Sequence, residues 1–202
     1  MFINLKVLKR SMKEAYKQEH LTIGNVNESL VISTGNMTVQ VFPGHATNEY
    51  KALIVEYLGA LPGRNEVYSV IGKNGNQLTI GLDRELDIQT ICQNADCLLE
   101  RTSVRIGDVV IYQVCGLKRR GAKLATAEKW DVIVDRTEAR QEELDTMSVV
   151  AISSNVDSIF YCSEEMALKL LASSKLYNSK AFENMAKVDL LGDDDDWEDE
   201  EE

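Results

Sequence analysis

The sequence predicts an α+β protein richer in strand than in helix, and three observations carry that reading. Several separate runs repeat their apolar residues at a period near two, as in Met37-Thr38-Val39-Gln40-Val41-Phe42. The opening segment instead repeats them at three and four. The runs also lack the βαβ alternation that a doubly wound parallel sheet requires. The expectation is antiparallel sheets with about four helices and a disordered acidic C-terminal tail.

Leu5, Leu8, Met12, Ala15 and Tyr16 define an amphipathic helix with Lys6, Lys9, Arg10, Lys13 and Lys17 between them, which gives it a basic outer face. Leu21-Thr22-Ile23, Leu30 to Thr34 and Met37 to Phe42 then read as a three-stranded meander, with turns at Asn25 to Glu28 and at Gly35-Asn36. Pro43-Gly44 breaks the sheet. Thr47 or Asn48 can cap a second helix whose Leu53, Ile54, Tyr57, Leu58 and Leu61 form one stripe, ended by Pro62-Gly63. Val67 to Ile71 and Gln77 to Ile80 make a hairpin around Lys73 to Asn76. Further strands are expected at Ile88 to Cys92, Cys97 to Thr102, Val109 to Cys115 and Trp130 to Val134, with a charged helix or linker at Arg136 to Leu144. Met147 to Ile152 and Ser158 to Cys162 read as a strand pair. Ser163 is expected to cap a helix that turns Met166, Leu168, Leu170 and Leu171 inward, and residues 177–191 to continue as a weaker helix.

Charge is unevenly placed. The 202 residues carry 22 Lys+Arg against 33 Asp+Glu, net -11. Nine of the acids lie in residues 193–202, which leaves 22 against 24 elsewhere. Such a run repels itself and has too little apolar surface to offset its chain entropy, so disorder is expected there. The N-terminus interrupts every apolar pair with a polar or basic residue, and no apolar run approaches the roughly 20 residues that span a bilayer. These features point to a cytoplasmic protein without membrane contact. Four cysteines without a paired spacing fit free thiols in a reducing compartment. A metal site on Cys92, Cys97 and Cys115 would need a fourth ligand, and neither His20 nor His45 stands at ligand spacing; no metal and no cofactor are expected.

The densest basic stretch runs from Arg101 to Arg140, nine Lys+Arg against five Asp+Glu. Within it Lys118, Arg119, Arg120 and Lys123 fall in a loop between two strands. A cationic hairpin tip holds a phosphate backbone because Coulomb attraction needs little exact geometry; a solvated turn is the plain alternative. Lys9 and Lys13 of the first helix would add to the same field if they shared its face. Tyr112 and Trp130 flank the loop as candidates for stacking on bases, or as core residues. Asp193, Asp194, Asp195, Asp196, Trp197 and Glu198 resemble in layout a tail that docks in a partner's basic groove, against the alternative of a solubilising tail. No G-x-S-x-G elbow and no phosphate loop is present, and the acid pairs Glu49/Glu56, Asp83/Glu85 and Glu142/Glu143 stand at surface spacings, so no catalytic residue is assigned.

Residues 3–41, a short strand, a helix and then strands ending in Leu30-Val31-Ile32-Ser33-Thr34-Gly35-Asn36-Met37-Thr38-Val39-Gln40-Val41, resemble the opening of a repeat in DNA sliding clamps. The Tyr50–Pro62 helix with the strands at Val67–Ile71 and Gln77–Ile80 is similar to the second half of such a repeat. The resemblance implies a clamp-like repeat over 1–82 and a second sheet over 88–135 within an α+β body at 1–146, with the strand pair and helices of 147–192 packed on it and the acidic tail at 193–202. A chain this short holds at most two repeats, so a ring would come from assembly of a homo-oligomer. The short, motif-poor, acidic-tailed style also fits a phage or mobile-element gene.

Three functions remain open on these grounds. One is a non-enzymatic DNA-metabolism accessory protein, clamp-like or single-strand-binding-like, with nucleic acid and a tail-bound protein as partners. Another is a protein-interaction or inhibitory module whose tail mimics nucleic acid. The third, an enzyme of unknown type, has no converging acid, base or nucleophile behind it.

Overall fold

The computed structural model describes residues 3–72, 75–81, 84–94, 97–106, 109–115, 121–126, 149–151, 158–171 and 180–185. Helix α1 spans Leu5–Lys17 and starts where the Asn4 side chain accepts from the Lys6 and Val7 amides at 3.2 and 3.3 Å. It buries Leu8, Met12 and Ala15. The meander follows as β1 (Leu21–Val26), β2 (Ser29–Ser33) and β3 (Met37–Val41). Asn27 and Glu28, at φ 50° and 66°, make the two-residue turn between β1 and β2, in the conformation whose twist suits a tight hairpin.

Helix α2 (Asn48–Leu58) begins with the Thr47 hydroxyl accepting from the Tyr50 amide at 3.3 Å and ends at Gly59, whose φ of 80° an ordinary residue resists. Strands β4 (Glu66–Val70) and β5 (Asn76–Ile80) form the expected hairpin. Beyond them come α3 (Ile88–Gln93), β6 (Cys97–Ile106), β7 (Val109–Cys115), β8 (Gly121–Thr126), β9 (Val149–Ala151), β10 (Ser158–Cys162), β11 (Met166–Leu171) and a short α4 (Lys180–Met185).

The eleven strands among the described residues lie in one antiparallel sheet, in the order β5-β4-β1-β2-β3-β11-β10-β9-β6-β7-β8. Its centre joins distant parts of the chain, since β11 pairs with β3 from Met166 opposite Val41 to Leu170 opposite Met37. Register then sorts the side chains. Leu21, Ile23, Leu30, Ile32, Val39, Leu168 and Tyr161 share a cluster with Leu8 and Met12 of α1 and Tyr50, Leu53 and Ile54 of α2, so both long helices cover one face. Each such side chain, fully buried, contributes about 1.5–3 kcal/mol. The Tyr50 hydroxyl reaches into the sheet and donates to the carbonyls of Leu30 at 3.2 Å and Val39 at 3.5 Å. On the opposite face α3 packs Ile88 with Phe42, Phe160 and Ala167.

Three expectations are corrected. The second helix stops at Gly59, short of Pro62-Gly63, so Leu61 lies outside it and is exposed. Ile88 to Cys92 is helical, because the Asp87 side chain caps it by accepting from the Thr90 amide at 3.3 Å. Residues 166–171 are strand, not helix. The Ser163 hydroxyl oxygen does accept from the Glu165 and Met166 amides, both at 3.3 Å, but the Ser163 amide donates to the Met166 carbonyl at 2.9 Å and closes the β10–β11 turn. Met166, Leu168 and Leu170 then alternate onto the helix-covered face, which is a strand's period of two. The expectations at Trp130 to Val134 and at Arg136 to Leu144 lie outside the described residues.

Candidate nucleic-acid interface

The basic face of α1 is the one group of expected nucleic-acid contacts whose geometry the described residues give in full. Lys6, Arg10, Lys13 and Lys17 follow one another at steps of four, three and four, the spacing of a single stripe along a helix. All four are exposed, on the side away from Leu8, Met12 and Ala15. From Lys6 to Lys17 the stripe is about 16 Å long at 1.5 Å per residue. Lys17 lies in the last turn, where a cation meets the negative end of the helix dipole.

Lys9 stands to one side of the stripe and is committed elsewhere. Its ammonium lies 2.7 Å from the Glu56 carboxylate of α2, with the two side chains 43% and 45% exposed. That hydrogen bond, reinforced by the charge on Glu56, raises the Lys9 pKa above the ordinary lysine value. One turn pair further along, Tyr16 and Tyr57 meet edge to face with ring centroids 5.4 Å apart. Both contacts clamp α1 to α2. A cleft of about 150 Å³ opens beside the stripe, between Arg10, Ser11 and Gln18 of the helix side and Thr34 and Asn36 of the β2–β3 turn.

Of the second basic region only Lys123 is among the described residues, and it lies far from this helix in the sheet order. Lys123 lies in β8, opposite Tyr112 of β7, at one edge of the sheet. Five strands stand between β3 and β8. At about 4.8 Å per step, Lys123 is roughly 29 Å from β3 measured across the sheet. Tyr112 is only 4% exposed, so it has no open ring face on which a base could stack, and burial explains its presence better. Lys118, Arg119, Arg120, Trp130 and the tail residues Asp193, Asp194, Asp195, Asp196, Trp197 and Glu198 lie outside the described residues. Among the described residues no three His, Cys, Asp or Glu side chains converge as a metal site, and no helix is long and apolar enough to cross a membrane.

Sequence reasoning found the basic helix from its periodicity but missed the Lys9–Glu56 pair. Its signal was only that both lysine and glutamate sit on helices, and nothing in the sequence says that those helices lie side by side.

No protein-family model matches this chain, and no curated protein matches it. Among solved structures, it is similar to the beta chain of DNA polymerase III from Streptococcus pneumoniae TIGR4, with 9% sequence identity and a TM-score of 0.29. The match covers 85% of this chain and 64% of that one, so this chain spans less than two thirds of that protein's length. A likeness this slight carries no inference about function.

Proposed function

We propose that the protein is a non-enzymatic DNA-metabolism accessory protein that holds nucleic acid by phosphate contacts along α1. The observation that supports this reading is the exposed stripe of Lys6, Arg10, Lys13 and Lys17 on the solvent side of the helix. One acid, the exposed Glu14, flanks the four cations, and the stripe's length of about 16 Å spans several phosphates of a single strand at about 3.4 Å each. Lys118, Arg119, Arg120 and Lys123 form a second contact on the same ligand, with Trp130 stacking on a base. The acidic run competes for both patches, and Asp193 to Asp196, Trp197 and Glu198 also recruit a protein partner.

Fluorescence anisotropy with labelled single-stranded and duplex DNA tests the reading. Affinity should fall with salt at a logarithmic slope of about -6 when both patches hold the ligand, the value for roughly eight released counterions, and of about -3 for the α1 stripe alone, and should rise when residues 193–202 are deleted. Negligible binding by both the full chain and the truncated one at low ionic strength would overturn it. Two modes are separable in the same experiment. A clamp-like ring assembled from several copies retains closed circular DNA and loses linear DNA at its ends, whereas a single-strand binder prefers unpaired DNA regardless of closure.

A further inference from the structure

Strand β5 stands at one end of the sheet among the described residues, and all five of its residues, Asn76–Ile80, are exposed. Register places Leu78 beside Tyr68 and Tyr68 beside Ile23, so Leu78 and Ile80 point to the face that α1 and α2 cover further in. At the edge they are left bare, Leu78 45% and Ile80 75% exposed. The backbone is open there too. The Gly81 amide donates to the Asn65 carbonyl at 2.9 Å, which turns the backbone groups of Gln77 and Thr79 toward β4 and those of Leu78 and Ile80 outward. Within β5 no charge, no proline and no bulge protects this edge against another strand.

We propose that β5 pairs antiparallel with β5 of a second copy of this chain, about a twofold axis at Thr79, to give a weak, reversible homodimer. The strand's own sequence argues for that occupant. With Thr79 opposite Thr79 of the second copy, Leu78 stands opposite Ile80 and Ile80 opposite Leu78, so hydroxyl meets hydroxyl and apolar meets apolar. The backbone matches in the same register. Leu78 and Ile80, whose groups face outward, exchange both N–H···O bonds across the dyad, and the two Thr79 residues form the closely spaced pair without hydrogen bonds. Centring the pair on Leu78 instead would set Asn76 against Ile80, a poorer match. Because β5 is uncharged, two copies meet without opposing like charges, and the strand offers no cation to a phosphate. The same strand serves both sides, so the assembly closes at two copies. Five residues from each copy make a small interface, which is why the association is weak. The pairing does not depend on DNA binding by α1.

Sedimentation equilibrium of the unsubstituted full chain should show monomer and dimer exchanging in the micromolar range. Ile80→Lys should weaken the dimer by about tenfold or more, because an ammonium then faces Leu78 of the second copy. Its thermal midpoint in dilute solution should match the parent's, since Ile80 is 75% exposed. Thr79→Cys tests the register. The Cα atoms of a pair without hydrogen bonds lie about 4.5 Å apart, within disulfide reach, so mild oxidation should link two copies through position 79 on each, as peptide mapping reads. Gln77→Cys, which stands opposite Gly81 in this register, should give no link to itself. A chain that stays monomeric throughout, a dimer that Ile80→Lys leaves intact, or an assembly larger than two would each overturn the proposal. So would the absence of the link through position 79, or a link through position 77 in its place.

Discussion

The carboxylate of Asp87 accepts a hydrogen bond from the Asn27 side-chain amide at 2.7 Å, tying the start of α3 to the turn between β1 and β2. The same carboxylate accepts from the Thr90 hydroxyl at 2.9 Å and from the Thr90 amide at 3.3 Å, and Asp87 is 5% exposed. One side chain therefore caps a helix and anchors it to a hairpin across the sheet's less covered face. Replacing it leaves the Thr90 amide and the Asn27 amide without an acceptor at a buried junction. Asp87→Ala is expected to destabilise the fold by about 1–3 kcal/mol. Asp87→Asn, which keeps an acceptor for the Thr90 amide, should cost less. Denaturant midpoints measure both, and an alanine variant as stable as the parent would refute the capping role.

Gly24 sets the distance between β1 and β4. It sits opposite Val67, and a Cβ there would lie 2.9 Å from Val67 Cγ2, 3.1 Å from the Glu66 carbonyl oxygen and 3.3 Å from Val67 Cα. Two of those atoms are backbone and cannot swing aside. Gly24→Ala should cost about 1–3 kcal/mol through forced strand separation, read as a lower thermal midpoint. A midpoint equal to that of the parent would show that β4 gives way freely.

Tyr50 is wholly buried, and burial pushes its phenol far above the ordinary tyrosine range, so it stays neutral and donates at every physiological pH. Tyr50→Phe removes only the donor to the Leu30 and Val39 carbonyls. The expected loss is about 0.5–1.5 kcal/mol, whereas Tyr50→Ala should cost about 3–5 kcal/mol through the cavity it opens. Equal losses in the two variants would mean that the hydroxyl, not the ring, carries the effect.

Charge changes on α1 should separate binding from folding. Lys13→Glu with Lys17→Glu should weaken DNA binding about tenfold or more and flatten the salt slope, with the thermal midpoint lowered only slightly, because both side chains are exposed and only Lys17→Glu sets an anion against the negative end of the helix. Glu56→Gln should act the other way. It frees the Lys9 ammonium and removes a carboxylate near the stripe, so binding at low salt should tighten by about two- to threefold. If Glu56→Gln leaves the affinity as it was, the nucleic acid does not run along this side of α1.

The local parts of this architecture were legible from residue order. The stripe of Leu8, Met12 and Ala15 and the cap, expected at Thr47 or Asn48 and found at Thr47, depend on residues within a few positions of one another, while the β1–β2 turn, expected over Asn25 to Glu28, narrows to Asn27 and Glu28 because Asn25 and Val26 pair with β2. The segment after Ser163 misled because a serine hydroxyl accepting from amides two and three residues on serves a tight turn as well as a helix start. Asp87 misled in the other direction, since a six-residue helix has too few apolar repeats to reveal its period. The candidate interface was half legible. Periodicity placed Lys6, Arg10, Lys13 and Lys17 together, but the separation of Lys123 from them follows from strand order, and the loss of Tyr112 as a stacking residue follows from its burial. Neither is a local property.

The pairing of β3 with β11 also bears on how the chain is made. During synthesis residues 1–41 leave the ribosome with one edge of β3 bare, and the strand that completes it follows well over a hundred residues later. At about 5–20 residues per second the nascent meander waits for about 6 to 25 seconds with its backbone groups open to other chains. A protein built this way benefits from a chaperone at the exit tunnel, and its yield in cells should respond more to translation speed than its finished sheet would suggest.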